Sequence, residues 1–170
     1  MKRDKYLKAL LEIAKEKNKL DLFIIEFEAL KQLLDQNSDW LKMISLPSIA
    51  TSKKEEMIKS IGFDEDFSSF LIRLVLDGLI ESYNQLFIEW MIMARRSQKV
   101  AYVGLYSAKT LTEAQKNVLE KLVKPYLGGL DVEFYTVIDE NLISGVKVIY
   151  QSQSLDGSLA YELKELESLI

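Results

Sequence analysis

The sequence predicts a mainly α protein in two parts, an N-terminal six-helix bundle over residues 1–98 and a small α+β domain over residues 99–170. Three observations predict it. Apolar residues recur at three- and four-residue spacing through the first hundred positions, which puts them on one face of a helix. After Arg95-Arg96 the texture changes to alternating β-branched and aromatic runs. Pro47, Gly62, Gly78 and Gly128-Gly129 stand between the periodic segments, where breakers and turn residues belong.

Tyr6, Ala9, Leu10, Ile13 and Ala14 form the apolar stripe of the first helix, with Lys8, Glu12, Lys15 and Glu16 opposite. Leu20, Phe23, Ile24, Phe27, Leu30 and Leu34 repeat the pattern in a second. A short third helix starts near Ser38 as N-cap and carries Trp40, Leu41 and Ile44. Pro47 closes it, since proline has no N–H for the helical ladder. Ser52 followed by Glu55 reads as a capping box that opens a fourth helix through Met57, Ile58 and Ile61, ended by Gly62. Phe67, Phe70, Leu71, Leu74 and Val75 define a fifth, stopped at Asp77-Gly78. A sixth runs from about Leu79 to Ser97 with Tyr83, Leu86, Phe87, Trp90 and Met91.

In the second part, Val100, Tyr102, Val103, Leu105 and Tyr106 read as a strand. Thr112 with Gln115 reads as a capping box for a helix through Val118, Leu119 and Leu122 that ends near Pro125. Gly128-Gly129 turns the chain into a strand of alternating Val132, Phe134, Thr136 and Ile138, and Val146, Val148 and Tyr150 alternate in another. A terminal helix is predicted after Asp156-Gly157-Ser158, with Leu159, Leu163, Leu166, Leu169 and Ile170 on one side.

Composition narrows the chemistry. The 170 residues contain neither cysteine nor histidine, which removes disulfides, thiolate metal sites, cysteine nucleophiles and the commonest general base. A net charge of −4 shows no concentrated basic face of the kind that holds nucleic acid. The acidic excess lies mostly after Gln98, a hint of a basic partner. No apolar stretch approaches the roughly 20 residues of a membrane span, and the N-terminus lacks the pattern of a signal or transit peptide. A soluble protein that meets a membrane only through partners is expected.

The remaining candidate sites read better as structure. Gly128-Gly129 lacks the Lys-Ser/Thr and the strand-to-helix setting of a phosphate loop. Asp64, Glu65 and Asp66 suit a helix N-terminus, and Arg95-Arg96 with Lys99 suits a helix C-terminus. Tyr6, near the start of the first helix, belongs either to the bundle core or to an apolar groove open to a partner. No metal, cofactor or catalytic residue is expected, which favours an adaptor role over an enzyme working through carboxylates.

Taken in order, the segments resemble the delta subunit of bacterial F-type ATP synthases, related to the mitochondrial oligomycin-sensitivity-conferring protein. Tyr6-Leu7-Lys8-Ala9-Leu10-Leu11-Glu12-Ile13-Ala14 is similar to the family's opening helix, and Leu46-Pro47-Ser48-Ile49 to its break between the third and fourth helices. Phe70-Leu71 through Asp77-Gly78 resembles its Phe-Leu…Asn-Gly-Arg segment, and Ser107-Ala108 with Leu111-Thr112-Glu113 its strand-to-helix turn. The most specific stretch runs from Val132 to Ser158, with Ile138-Asp139, Leu142-Ile143-Ser144-Gly145-Val146 and Asp156-Gly157-Ser158. Leu79 and Ala160-Tyr161-Glu162 stand where the family usually carries arginines.

The resemblance implies a non-catalytic stator subunit, one copy per complex, at the cytoplasmic face of a bacterial plasma membrane. It implies that the helical domain binds the N-terminal amphipathic helix of an alpha subunit between its first and fifth helices. It also implies that the C-terminal domain binds the b subunit of the peripheral stalk. Carried over by position, the groove candidates are Tyr6, Ala9, Leu10, Ile13, Phe70, Leu71, Leu74 and Val75; Gly78, Gly145, Asp156, Gly157 and Ser158 are structural motif residues. The rival reading is a helical protein-binding or scaffolding module with no link to ATP synthase.

Overall fold

The computed structural model describes residues 2–143, 145–151 and 153–154; the terminal helix predicted after Asp156-Gly157-Ser158 lies outside the described residues. The chain divides into two compact units, Met1–Ala94 and Arg95–Ile170. The division falls slightly ahead of the 98/99 boundary read from the sequence, because the last turn of the sixth helix joins the second unit. There the Arg95 guanidinium pairs with Glu133, Nε to Oε2 at 2.7 Å.

The first unit is an α-helical bundle: α1 (Lys2–Glu16), α2 (Leu20–Gln36), α3 (Ser38–Ser45), α4 (Thr51–Lys59), α5 (Glu65–Leu76) and α6 (Tyr83–Ser97). Helices α1, α4 and α5 end where the chain turns left-handed. Asn18 has φ +54° after α1, and the Lys19 amide donates back to the Ala14 carbonyl at 2.8 Å. Gly78 has φ +67° after α5, with Gly78 N–H bonded to Val75 and Leu79 N–H to Leu74. Both closures satisfy carbonyls that the last turn would leave open. The core is aromatic. Trp90, Phe23, Phe27 and Phe67 are fully buried, with Phe27 stacked on Trp90 at 5.9 Å and edge-on to Phe67 at 5.5 Å. Such pairs contribute about 0.5–1.5 kcal/mol each beyond burial.

The second unit is α+β: β1 (Val100–Ser107), α7 (Glu113–Val123), a 3-10 turn (Lys124–Leu127), β2 (Asp131–Ile138), β3 (Val146–Tyr150) and β4 (Gln153–Ser154). The sheet order is β2-β1-β3-β4. β1 runs parallel to β2 from Val100↔Asp131 to Ser107↔Ile138 and antiparallel to β3 from Gly104↔Ile149 to Ser107↔Val146. A parallel neighbour requires a crossover, and α7 supplies it. The alternation in β1 sends Ala101, Val103 and Leu105 into a core with Leu119, Val123, Leu127 and Val148. Tyr102 lies on the other face, stacked on Tyr135 at 4.8 Å between ring centres. Gly104 pairs with Tyr135 in the register, and a Cβ added there would stand 2.7 Å from the Tyr135 ring.

Three local expectations change. Ser52 and Glu55 form no capping box: α4 already begins at Thr51, with Ala50 as its N-cap and no side-chain bond, so Ser52 is inside the helix. The N-cap of α3 is Asn37 rather than Ser38. The sixth helix does not run unbroken from Leu79; a 3-10 turn, Ile80–Ser82, precedes α6 and buries Ile80. The Thr112 capping box is present in full. Thr112 Oγ1 accepts from Gln115 N at 3.3 Å, and Gln115 Oε1 accepts from Thr112 N at 2.8 Å. Gly145, with φ +89°, makes the tight turn into β3.

Candidate functional site

The seam between α1 and α5 carries all eight residues proposed for a groove, and burial sorts them. Leu10 is 1% exposed, Leu74 0%, and Leu71, Val75 and Phe70 are also buried. These five side chains are floor and core, closed to a partner. Tyr6 and Ile13 are half-buried and Ala9 is exposed, so these three form the accessible part. Sequence spacing could not make this split, because a helical stripe has the same period whether its edge meets a core or a groove.

Both ends of the seam are tied by polar contacts between elements far apart in sequence. At one end the Tyr6 hydroxyl donates to Asp77 Oδ2, and Arg73 Nε donates to the Tyr6 hydroxyl at 3.2 Å. The Tyr6 hydrogen bond, then the Arg73 charge, hold the Asp77 carboxyl below the usual carboxylate range. At the other end Lys19 Nζ donates to Asp64 Oδ2 at 2.9 Å and to Asp66 Oδ2 at 2.8 Å, while Lys17 Nζ reaches Asp66 Oδ1 at 2.6 Å. Asp64 also caps α5, accepting from Asp66 N at 3.0 Å. The Lys19 bond first, with that capping bond, holds the Asp64 carboxyl low; Lys17 and then Lys19 do the same for Asp66.

Behind these groups lies Glu26 of α2, 8% exposed. Its Oε1 accepts the Asp64 backbone N–H at 2.6 Å, whereas Oε2 is buried without a hydrogen-bond partner. Burial pushes the Glu26 carboxyl up, outweighing the opposing Asp64 N–H bond. Sequence reading placed Asp64, Glu65 and Asp66 at a helix N-terminus, which is where they lie, but missed Lys17, Lys19, Glu26 and Arg73. A signal was present in part: Lys17 and Lys19 flank one helix junction and the acidic run opens another.

The second unit presents a different surface. Ala114, Val118, Leu122 and Tyr126 recur every four residues along α7 and the turn after it, with Val118 37% and Tyr126 48% exposed. Of the motif residues, Gly78 and Gly145 occupy left-handed turns, and Asp156, Gly157 and Ser158 lie outside the described residues. Among the described residues no group of three or more histidine, cysteine, aspartate or glutamate side chains could hold a metal ion. No helix among them is long and apolar enough to cross a membrane.

Comparison with known proteins adds a family. The model of the ATP synthase delta (OSCP) subunit family matches residues 3–170. ATP synthase subunit delta of Acholeplasma laidlawii (strain PG-8A) is 35% identical over 166 residues, covering 97% of both chains. Its counterpart in Anoxybacillus flavithermus is 32% identical over 167 residues, covering 96% of this chain and 93% of that one. Among solved structures, a chain of the Toxoplasma gondii mitochondrial ATP synthase hexamer superposes with a TM-score of 0.74 at 19% identity. It covers 99% of this chain and 97% of its own, a likeness of fold.

Proposed function

The chain belongs to the ATP synthase delta (OSCP) subunit family and is a non-catalytic stator subunit of F-type ATP synthase, and on that premise we propose how its two units divide the work. The helical unit receives the N-terminal amphipathic helix of an alpha subunit on the α1–α5 seam. The α+β unit holds the b subunit of the peripheral stalk. One copy per complex sits at the cytoplasmic face of a bacterial plasma membrane and resists the rotation of the catalytic head.

The observation that carries the alpha-subunit reading is the split in the seam. Leu10, Phe70, Leu71, Leu74 and Val75 close the core beneath it, while Tyr6, Ala9 and Ile13 stay accessible above. A small residue at the centre lets a helix approach closely, and the flanking larger ones serve as anchors, the pattern of helix-in-groove recognition. The tied ends brace the two walls of the seam. For the stalk, the supporting feature is the four-residue stripe on α7, which suits an amphipathic helix lying alongside.

The test uses the accessible residues, since Leu10→Asp or Leu74→Asp would place a charge in the core and unfold the bundle. Ile13→Glu should leave the helical content intact and weaken binding of a synthetic alpha N-terminal peptide by about tenfold or more in calorimetry, in line with losing about 1.4 kcal/mol of burial. Wild-type affinity in a folded Ile13→Glu/Ala9→Glu protein would refute the seam assignment. Co-purification of b subunit, reduced by Val118→Glu, tests the second half.

A further inference from the structure

We infer that Glu26 is a proton-operated latch between α2 and the N-terminus of α5, tightest when its carboxyl group is protonated and slackened when it ionises. The joint is built from both sides. Phe23 and Phe27 of α2 pack on Phe67 of α5, at 5.7 and 5.5 Å between ring centres, so the carboxyl group emerges beside an aromatic contact. One of its oxygens takes the Asp64 N–H at the start of α5, and the other is buried with no donor facing it.

A charge on Glu26 is poorly served there. The Asp64 carboxylate faces it from the loop before α5, and Lys19 from the α1–α2 junction, whose charge favours the ionised form less than burial and Asp64 oppose it, spends its hydrogen bonds on Asp64 and Asp66. Lys17 is engaged by Asp66 as well. Ionised, Glu26 adds a third negative charge to one joint and leaves a buried oxygen unsolvated, which is costly. Protonated, it keeps the Asp64 N–H bond and drops the repulsion. The latch is independent of the partner assignments proposed above.

The sign follows from linkage. A carboxyl group that holds its proton more tightly folded than unfolded contributes stability fully present below its unfolded value and lost as pH rises through its folded value. Each pH unit separating those values is worth about tenfold in the folding equilibrium constant. Glu26→Gln keeps the acceptor for Asp64 N–H and abolishes the charge. Thermal unfolding of the full chain between pH 4 and 8 should therefore show the two proteins converging at acid pH, with the variant increasingly the more stable as pH rises. Parallel profiles, or a variant less stable than wild type at pH 8, overturn the latch. In wild type alone, the Glu26 side-chain carbon resonance should titrate above the ordinary glutamate range, with the Asp64 amide following at the same midpoint. A Glu26 midpoint within the ordinary range, or an Asp64 amide that does not follow, also overturns it.

Discussion

The two units are held together by different means. The helical unit buries a run of aromatic rings and fastens its helices with polar ties between residues some 45 to 70 positions apart, among them the Lys19–Asp64 ion pair and the Tyr6–Asp77 hydrogen bond. The α+β unit has a small aliphatic core, Ala101, Val103, Leu105, Leu119, Val123, Leu127 and Val148, and relies on strand register and one close backbone approach at Gly104. A large-ring core fails through cavities. A register-built sheet fails through crowding.

The largest effect should come from the first mode. Phe27→Ala removes the ring that contacts Phe67, Phe70, Phe87 and Trp90, and should cost about 3–5 kcal/mol in denaturant unfolding. Both tryptophans, Trp40 and Trp90, lie in the helical unit, so their fluorescence reads this loss directly. A cost under about 1 kcal/mol would mean the rings do not form one core.

Gly104→Ala breaks the second mode. The methyl group would meet the Tyr135 ring and should cost about 1–3 kcal/mol, seen as faster amide exchange along β1 with unchanged tryptophan fluorescence. Combining it with Tyr135→Ala should recover much of that loss relative to Tyr135→Ala alone, since the Tyr135 ring is the nearer obstacle and the Tyr106 ring, at 3.0 Å, the lesser one. If the losses simply add, the close approach is not what demands glycine.

Asp64→Ala has a smaller expected effect, about 1 kcal/mol for the lost cap of α5. Its pH dependence opposes that of Glu26. The Asp64 carboxyl is held below its usual range by Lys19, so its stabilisation is present above the ordinary aspartate value and lost as pH falls through the depressed one. Wild type and Asp64→Ala should thus converge in acid, with wild type the more stable at neutral pH.

The contrast also explains what the sequence made legible. Helix existence in the first unit follows from local periodicity, and the Thr112 capping box follows from two residues three apart; the structure has both. Ser52 and Glu55 have the same spacing without the cap, because Ala50 brings the chain into the helix before Ser52. The parallel pairing of β1 with β2 and the Lys19–Asp64 tie depend on residues brought together only by the fold, so no local pattern announces them. The α1–α5 seam was legible as a pair of helices, but the separation of Ala9 and Ile13 from Leu10 needed the position of α5. The family resemblance supplied the role, and the match over residues 3–170 bears it out.

β1 has a mechanical consequence. Only Gln98 and Lys99 separate α6 from Val100, so tension carried along the chain out of the helical unit enters the sheet at the end of β1. That strand is interior to the sheet, bonded to β2 along its whole length and to β3 along half of it. A pull along it loads those hydrogen bonds in shear, all sharing the force, where an edge strand pulled sideways would open one bond at a time. For a subunit whose task is to hold still while a rotor turns, the chain delivers its load to the strand best placed to bear it.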